Sequence, residues 1–262
     1  MKLAVAGKGG VGKTTISSLL AGAYSAAGRR VIAIDANPDT NFATALGISA
    51  EEASQITPIA KMNELIEERT GSKPGSAAPI FKLNPKVDDI PDQFSVKKGN
   101  ISLLIMGDVK IGGGGCVCPE STLLKALLSH LLLARDDVVI MDMDAGLEHL
   151  ARGTAKAVDA FIIVVEPGQR SIQTARAVQK LAGDLGIQQC YVVGSKVRGE
   201  QDRKYIEDNL PDFEILGFID YDPQITDADR QGIGVFEHAP ETVRQVEKII
   251  AQLDKIHTTR KL

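Results

Sequence analysis

Short unbroken apolar runs alternate with longer amphipathic ones along this chain. The runs are KLAVAG (2–7), RVIAID (30–35), ISLLIMG (101–107), DVVIMD (137–142), AFIIVVEP (160–167), QCYVVGSK (189–196) and EILGFI (214–219). Each has the length of a strand and lacks the apolar–polar alternation of a sheet with one wet face, which predicts strands buried on both sides. Helical patterns separate most of them: TTISSLLAGAYSAAG (14–28), STLLKALLSHLLLA (121–134) and SIQTARAVQKLAGDLG (171–186). The repeated strand–helix–strand rhythm predicts an α/β fold, a doubly wound, mostly parallel sheet with helices on both faces, in a single domain spanning 1–262. Residues 70–100 break the rhythm with clustered proline and glycine, and are expected to form a surface excursion with one short strand at IFKL, 80–83. Near the end, ETVRQVEKIIAQLDKIH (241–257) places Val243, Val246, Ile249, Ile250, Leu253 and Ile256 on one face, with both charge signs opposite.

Composition narrows the classes. At 262 residues, 44% hydrophobic and 24% charged, the chain has ordinary globular usage and no apolar run of membrane-spanning length. The N-terminal stretch MKLAVAGKGG has no secretory cleavage pattern, so a cytoplasmic location is expected. A net charge of −4 supplies no global attraction to nucleic acid or anionic lipid, and the C-terminal helix lacks the basic face of a membrane anchor; neither partner is expected. Three cysteines in such a chain point to metal, redox or core roles rather than a disulfide framework.

GKGGVGKTT (7–15) carries the chemistry. It fits G-x-x-x-x-G-K-[ST] between a predicted strand and a predicted helix, the setting in which backbone N–H groups wrap phosphates. Gly9, Gly10, Val11, Gly12, Thr14 and Thr15 would form the cradle, Lys13 would reach the β- and γ-phosphates, and the Thr14 hydroxyl would ligate Mg²⁺. VVIMD ends on Asp142, placed as a second Mg²⁺-holding carboxylate at a strand terminus.

Lys8 adds a feature that a generic phosphate loop lacks. With it, the motif resembles K-G-G-x-G-K-[ST], the deviant Walker A signature of the family that includes MinD and ParA positioning ATPases, the arsenite-pump ATPase and the nitrogenase iron protein. The resemblance implies a P-loop ATPase that closes as a nucleotide-sandwich homodimer, with Lys8 reaching the partner's phosphates. Asp39 falls where the family keeps its first switch and would orient or deprotonate the attacking water. Asp35 would hold that loop or the metal's outer shell. Ser195 stands where the family has asparagine against the base, followed by Lys196. Ile219 and Asp220 fall in a stretch similar to the family's nucleotide-rim loop. Asp144, in the second-switch-like DAGLEHL, has no role fixed by the motif.

The remaining question is GGGGCVCPE (112–120). In an extended C-x-C segment Cys116 and Cys118 lie on the same side of the chain, a two-thiolate jaw. Two jaws on a dimer axis would give an S₄ site suited to Zn²⁺ or, if flattened, to Ni²⁺. Together with an expected helix at 56–71 and stretches 81–92 and 141–159, this motif is similar to the CooC-type nickel-insertion ATPases of carbon monoxide dehydrogenase maturation and their relative AcsF, which serves acetyl-CoA synthase. That resemblance implies ATP and Mg²⁺, nickel at the Cys pair, and a client metalloenzyme. Two other classes stay open: an Fe–S electron-transfer ATPase, and a MinD/ParA-type positioning ATPase. Against the first, Cys190 begins an apolar strand, where a small hydrophobe is expected.

Overall fold

The computed structural model describes residues 1–37, 41–75, 80–107, 118–144, 154 and 157–260. Among these residues, eight strands form one sheet: β1 (Lys2–Gly7), β2 (Val31–Asp35), β3 (Val96–Lys98), β4 (Ile101–Ile105), β5 (Val138–Asp142), β6 (Ala160–Val165), β7 (Cys190–Val197) and β8 (Glu214–Asp220). Their order is β3-β4-β2-β5-β1-β6-β7-β8, and every pairing is parallel except the edge pair β3–β4.

The apolar runs are continuous because both faces are covered. In β1, Ala4 and Ala6 join one buried cluster while Leu3 and Val5 join the other. The first cluster takes in Leu123, Leu127 and Leu131 of the helix Pro119–Leu133, with Ile172 and Val178 of the helix Gln169–Asp184. The second takes in Ile16, Leu19 and Leu20 of the helix Lys13–Ala26, with Val246, Ile249 and Leu253 of the C-terminal helix Pro240–Arg260. Val243, Ile250 and Ile256 pack against the same cluster half-buried, so the apolar stripe of the last helix is spent on the core.

Two local expectations need correction. Residues 80–83 form no strand, and Ile80 and Leu83 are exposed; the extra strand is β3, which pairs antiparallel to β4 through Val96↔Leu103. The excursion is tied down elsewhere, by two hydrogen bonds from Arg69 to Asp89 at 2.7 and 3.2 Å. The stretch 56–71 is also not one helix. Pro58 precedes a 3₁₀ turn, Ile59–Lys61, and the α-helix begins only at Asn63, because proline suits a first turn but not a helix interior.

In a parallel sheet the strand C-termini share one end, and ligands bind there beside the point where connections reverse direction. Here β1 is that point: its chain neighbour β2 lies beyond β5, while β6 lies on its other side. The end of β4 belongs to the same rim, since Met106 N–H donates to the Asp35 carbonyl at 2.9 Å. The chain therefore enters the Cys-bearing segment from the end of the sheet that carries the phosphate loop.

Candidate functional site

Gly7 closes β1 with φ +150°, and a Cβ there would lie 2.5 Å from the Val164 carbonyl oxygen. Only glycine lets β1 run against β6 at this point and turn into the loop. Gly12, at φ +96°, then starts the helix Lys13–Ala26 without a side-chain cap. The helix N-terminus thus keeps N–H groups for an anion. Val11 takes no side-chain part: it is fully buried in the core, and its N–H lies 3.4 Å from the Lys8 carbonyl oxygen.

Gly9, Gly10, Gly12, Lys13, Thr14 and Thr15 line an open cleft of about 640 Å³, within the range of small-molecule sites. Asn37, Asp144 and Lys196 line it as well. Gly12, Thr15 and Lys196 also border a smaller cavity of about 60 Å³ with Ser195, Ile219 and Asp220. The two share a wall, so the fold brings the sequence-predicted phosphate and base residues to one place. Ser195 is buried, and a Cβ on Gly12 would come within 3.3 Å of its Oγ. The Asp220 carboxylate is already engaged, accepting from Arg203 Nη2 at 2.5 Å and Gln245 Nε2 at 2.8 Å.

Asp142 organises the metal side. Its carboxylate accepts from Thr14 Oγ1 at 2.6 Å, Ser17 Oγ at 3.1 Å and Asn37 Nδ2 at 2.7 Å. Burial pushes Asp142 up to about 6, although the hydroxyls of Thr14 and Ser17 and the charge of Lys13 pull the other way. Asp35, its register partner across β2–β5, is pushed up to about 7, by burial first and in part by the Asp142 charge. Asp35 accepts from the N–H groups of Asn37 (3.1 Å) and Phe42 (3.2 Å), which makes it an anchor for the loop after β2. Asn37 Oδ1 is buried and has no hydrogen-bond partner among the described residues. A buried orphan acceptor beside a carboxylate and a threonine hydroxyl suits a hydrated Mg²⁺ ion, so the residues present fit Mg²⁺–nucleotide.

The lysines of the loop are paired within the chain. Lys13 Nζ lies 3.7 Å from Asp144 Oδ1 and 3.4 Å from the Lys8 carbonyl. Lys8 Nζ donates to Glu166 Oε1 at 3.1 Å. Ser17, Asn37 and Glu166 were not singled out from the sequence. The signals existed: Ser17 is one helical turn after Thr14, and Glu166 is a lone charge closing the run AFIIVV.

Asp39 and Cys116 lie outside the described residues. Cys118 is half-buried and is the N-cap residue of the helix Pro119–Leu133. Cys190 begins β7, at the opposite end of the sheet from the phosphate loop, and burial pushes its thiol up to about 11. It therefore cannot share a site with Cys118 in one chain; half-buried, it packs against the core, and its weak acidity fits that place.

The chain matches the CobQ/CobB/MinD/ParA nucleotide binding domain family over residues 2–235. It is 47% identical to the carbon monoxide dehydrogenase accessory protein CooC of Rhodospirillum rubrum, over 97% of this chain and 96% of that one. An uncharacterised ATP-binding protein of Methanocaldococcus jannaschii is 44% identical over 99% of this chain and all of its own length (100%). Among solved structures, the MinD cell division protein of Aquifex aeolicus superposes with a TM-score of 0.68 at 19% identity, covering 97% and 98% of the two chains. The septum site-determining protein MinD of Pyrococcus horikoshii, complexed with Mg-ADP, gives 0.65 at 21% identity, covering 97% and 96%. At such identities the structures speak for the fold.

Proposed function

Because the chain belongs to the CobQ/CobB/MinD/ParA nucleotide-binding family, in the branch that includes CooC, we propose that it is a carbon monoxide dehydrogenase accessory ATPase that carries nickel to its client. The observation that carries this assignment is 47% identity sustained over 97% of the chain. The site supports the ATPase part independently: an uncapped helix N-terminus, a lysine in the cleft, and a threonine hydroxyl 2.6 Å from a buried strand-end carboxylate.

In the proposed cycle the loop N–H groups and Lys13 bind the triphosphate, and Thr14 and Asp142 hold Mg²⁺. When bound, that ion neutralises charge on the β- and γ-phosphates. Asn37 fixes the Asp142 carboxylate through its amide N–H, and its buried Oδ1 would be free to accept a hydrogen bond at the site that would hold Mg²⁺. Lys8 reaches the phosphates of a second subunit, and Asp39 orients the attacking water. Closure brings Cys116 and Cys118 of two chains together as the nickel site, with Zn²⁺ as the competing ion, and hydrolysis reopens it. The chain leaves β4 at the rim of the sheet that carries the phosphate loop, and Cys118 is the N-cap residue of the helix Pro119–Leu133.

The test is activation of nickel-free carbon monoxide dehydrogenase by the purified chain, Ni²⁺ and Mg-ATP. Activation should require ATP and disappear with Lys13→Ala. Activation that proceeds equally without ATP would contradict the proposal, as would activation of acetyl-CoA synthase alone for the choice of client.

A further inference from the structure

Glu166 is the unexplained charge of the site. β6 is buried along its whole length and the next residue is a carboxylate. Its backbone N–H donates to Ser171 Oγ at 3.1 Å, which fixes its place at the strand end. Its two oxygens face two lysines: Oε1 accepts from Lys8 Nζ at 3.1 Å, and Oε2 lies 3.8 Å from Lys196 Nζ. Lys196 is the one non-glycine residue with positive φ, +57°, among the described residues, and its Nζ also donates to the Gly10 carbonyl of the phosphate loop. That conformation falls where the pairing of β7 with β8 shifts register between Gly194 and Val197, an irregularity that goes with the turn of the Lys196 side chain onto the phosphate loop.

We propose that Glu166 is a positioning residue that holds Lys8 and Lys196 within their own subunit while the cleft is empty and yields them when phosphate arrives. The inference rests on the proposed role of Lys8 in the partner's site. Lys196 lines the cleft and Glu166 does not, so a phosphate in the cleft competes with Glu166 for Lys196 first. The bound phosphates, negative like Glu166, also repel its carboxylate and compete for Lys8, so the Lys8 contact loosens in the same step. Lys8 then becomes available to a second subunit only after its own subunit has bound nucleotide, an ordering that one shared carboxylate can impose. The lysine and glutamate side chains are about one-third exposed, 34% and 27%, and pairs of this kind are weak. The clamp therefore biases the empty state without blocking binding.

The experiment is a Mg-ADP titration by calorimetry, alongside sedimentation velocity with a nonhydrolysable ATP analogue, on wild type, Glu166→Gln and Glu166→Asp. Glu166→Gln should bind Mg-ADP about three- to tenfold more tightly and dimerise at correspondingly lower analogue concentration, while Glu166→Asp stays near wild type. A gain in affinity cannot come from damaged folding. In a Lys196→Ala background the gain from Glu166→Gln should shrink to less than twofold, as expected when the partner is gone. Unchanged or weaker binding by a normally folded Glu166→Gln, or a gain undiminished in the Lys196→Ala background, would overturn the inference. Lys8→Ala separates the two claims: normal dimerisation of that variant sinks the trans role of Lys8, and the affinity cycle still decides the clamp.

Discussion

At the scale of single residues, the Thr14–Asp142 contact makes a sharp prediction. Thr14→Val keeps the shape and β-branching of the side chain but removes the hydroxyl that donates to Asp142 at 2.6 Å. Asp142 keeps Ser17 and Asn37, so the fold should survive, with a melting temperature within a few degrees of wild type. Steady-state ATP hydrolysis should fall on the order of a hundredfold or more, because the proposed Mg²⁺ site loses a ligand. Cys190 gives a second prediction. With its thiol pushed up to about 11, its thiolate population at pH 8 is on the order of a hundredfold below that of an unfolded cysteine. Iodoacetamide followed by peptide mass spectrometry should leave Cys190 unmodified in the native protein and label it in denaturant. Rapid native labelling would contradict the half-buried place of Cys190 against the core and reopen a role for it in metal or redox chemistry. The residues legible in the sequence were those whose chemistry needs a fixed spacing, such as Lys13, Thr14 and Asp142. Asn37 and Ser17 were not, because their role arises only when the parallel register sets Asp35 beside Asp142 and brings the helix to the end of β5.

At the scale of elements, Gly22 decides how the phosphate-loop helix sits. A Cβ there would lie 2.5 Å from the Phe236 ring. Ala for Gly favours a helix by about 1 kcal/mol, whereas overpacking a full site costs about 1–3 kcal/mol, so Gly22→Ala should be net destabilising. Urea unfolding should show a lower midpoint at unchanged slope. Nucleotide binding should weaken too, because Ile233 and Val235, beside Phe236, line the cleft. A more stable variant would contradict this account of the packing. Strands were easier to foresee than the excursion. AFIIVV or VIAID leaves no choice once both faces are covered, whereas IFKL is short, and its edge position was taken by Val96–Lys98. Pro58 shows the same competition, since its fixed φ keeps the helix expected over 56–71 from beginning before Asn63.

At the scale of the whole molecule, one end of the sheet carries the described groups that the proposed cycle uses. The phosphate loop leaves β1 there, Asp142 ends β5, Glu166 follows β6, Lys196 lies near the end of β7, and the segment leading to Cys118 leaves β4. Cys190 and the buried Lys2, whose Nζ donates to the carbonyls of Leu131, Arg135 and Asp137, belong to the other end. Among the described residues no helix is long and apolar enough to cross a membrane. The division follows from parallel topology and needs no further device. Within that layout the nickel claim rests on Cys116 and Cys118 acting jointly across two chains. Equilibrium dialysis with Ni²⁺, read as metal per chain with and without a nonhydrolysable ATP analogue, tests it most directly. Wild type should bind about one nickel per two chains, with an affinity that changes when the analogue is present, and the Cys116→Ser/Cys118→Ser double variant should bind none at the same concentration. Nickel binding of unchanged stoichiometry in the double variant would contradict the account.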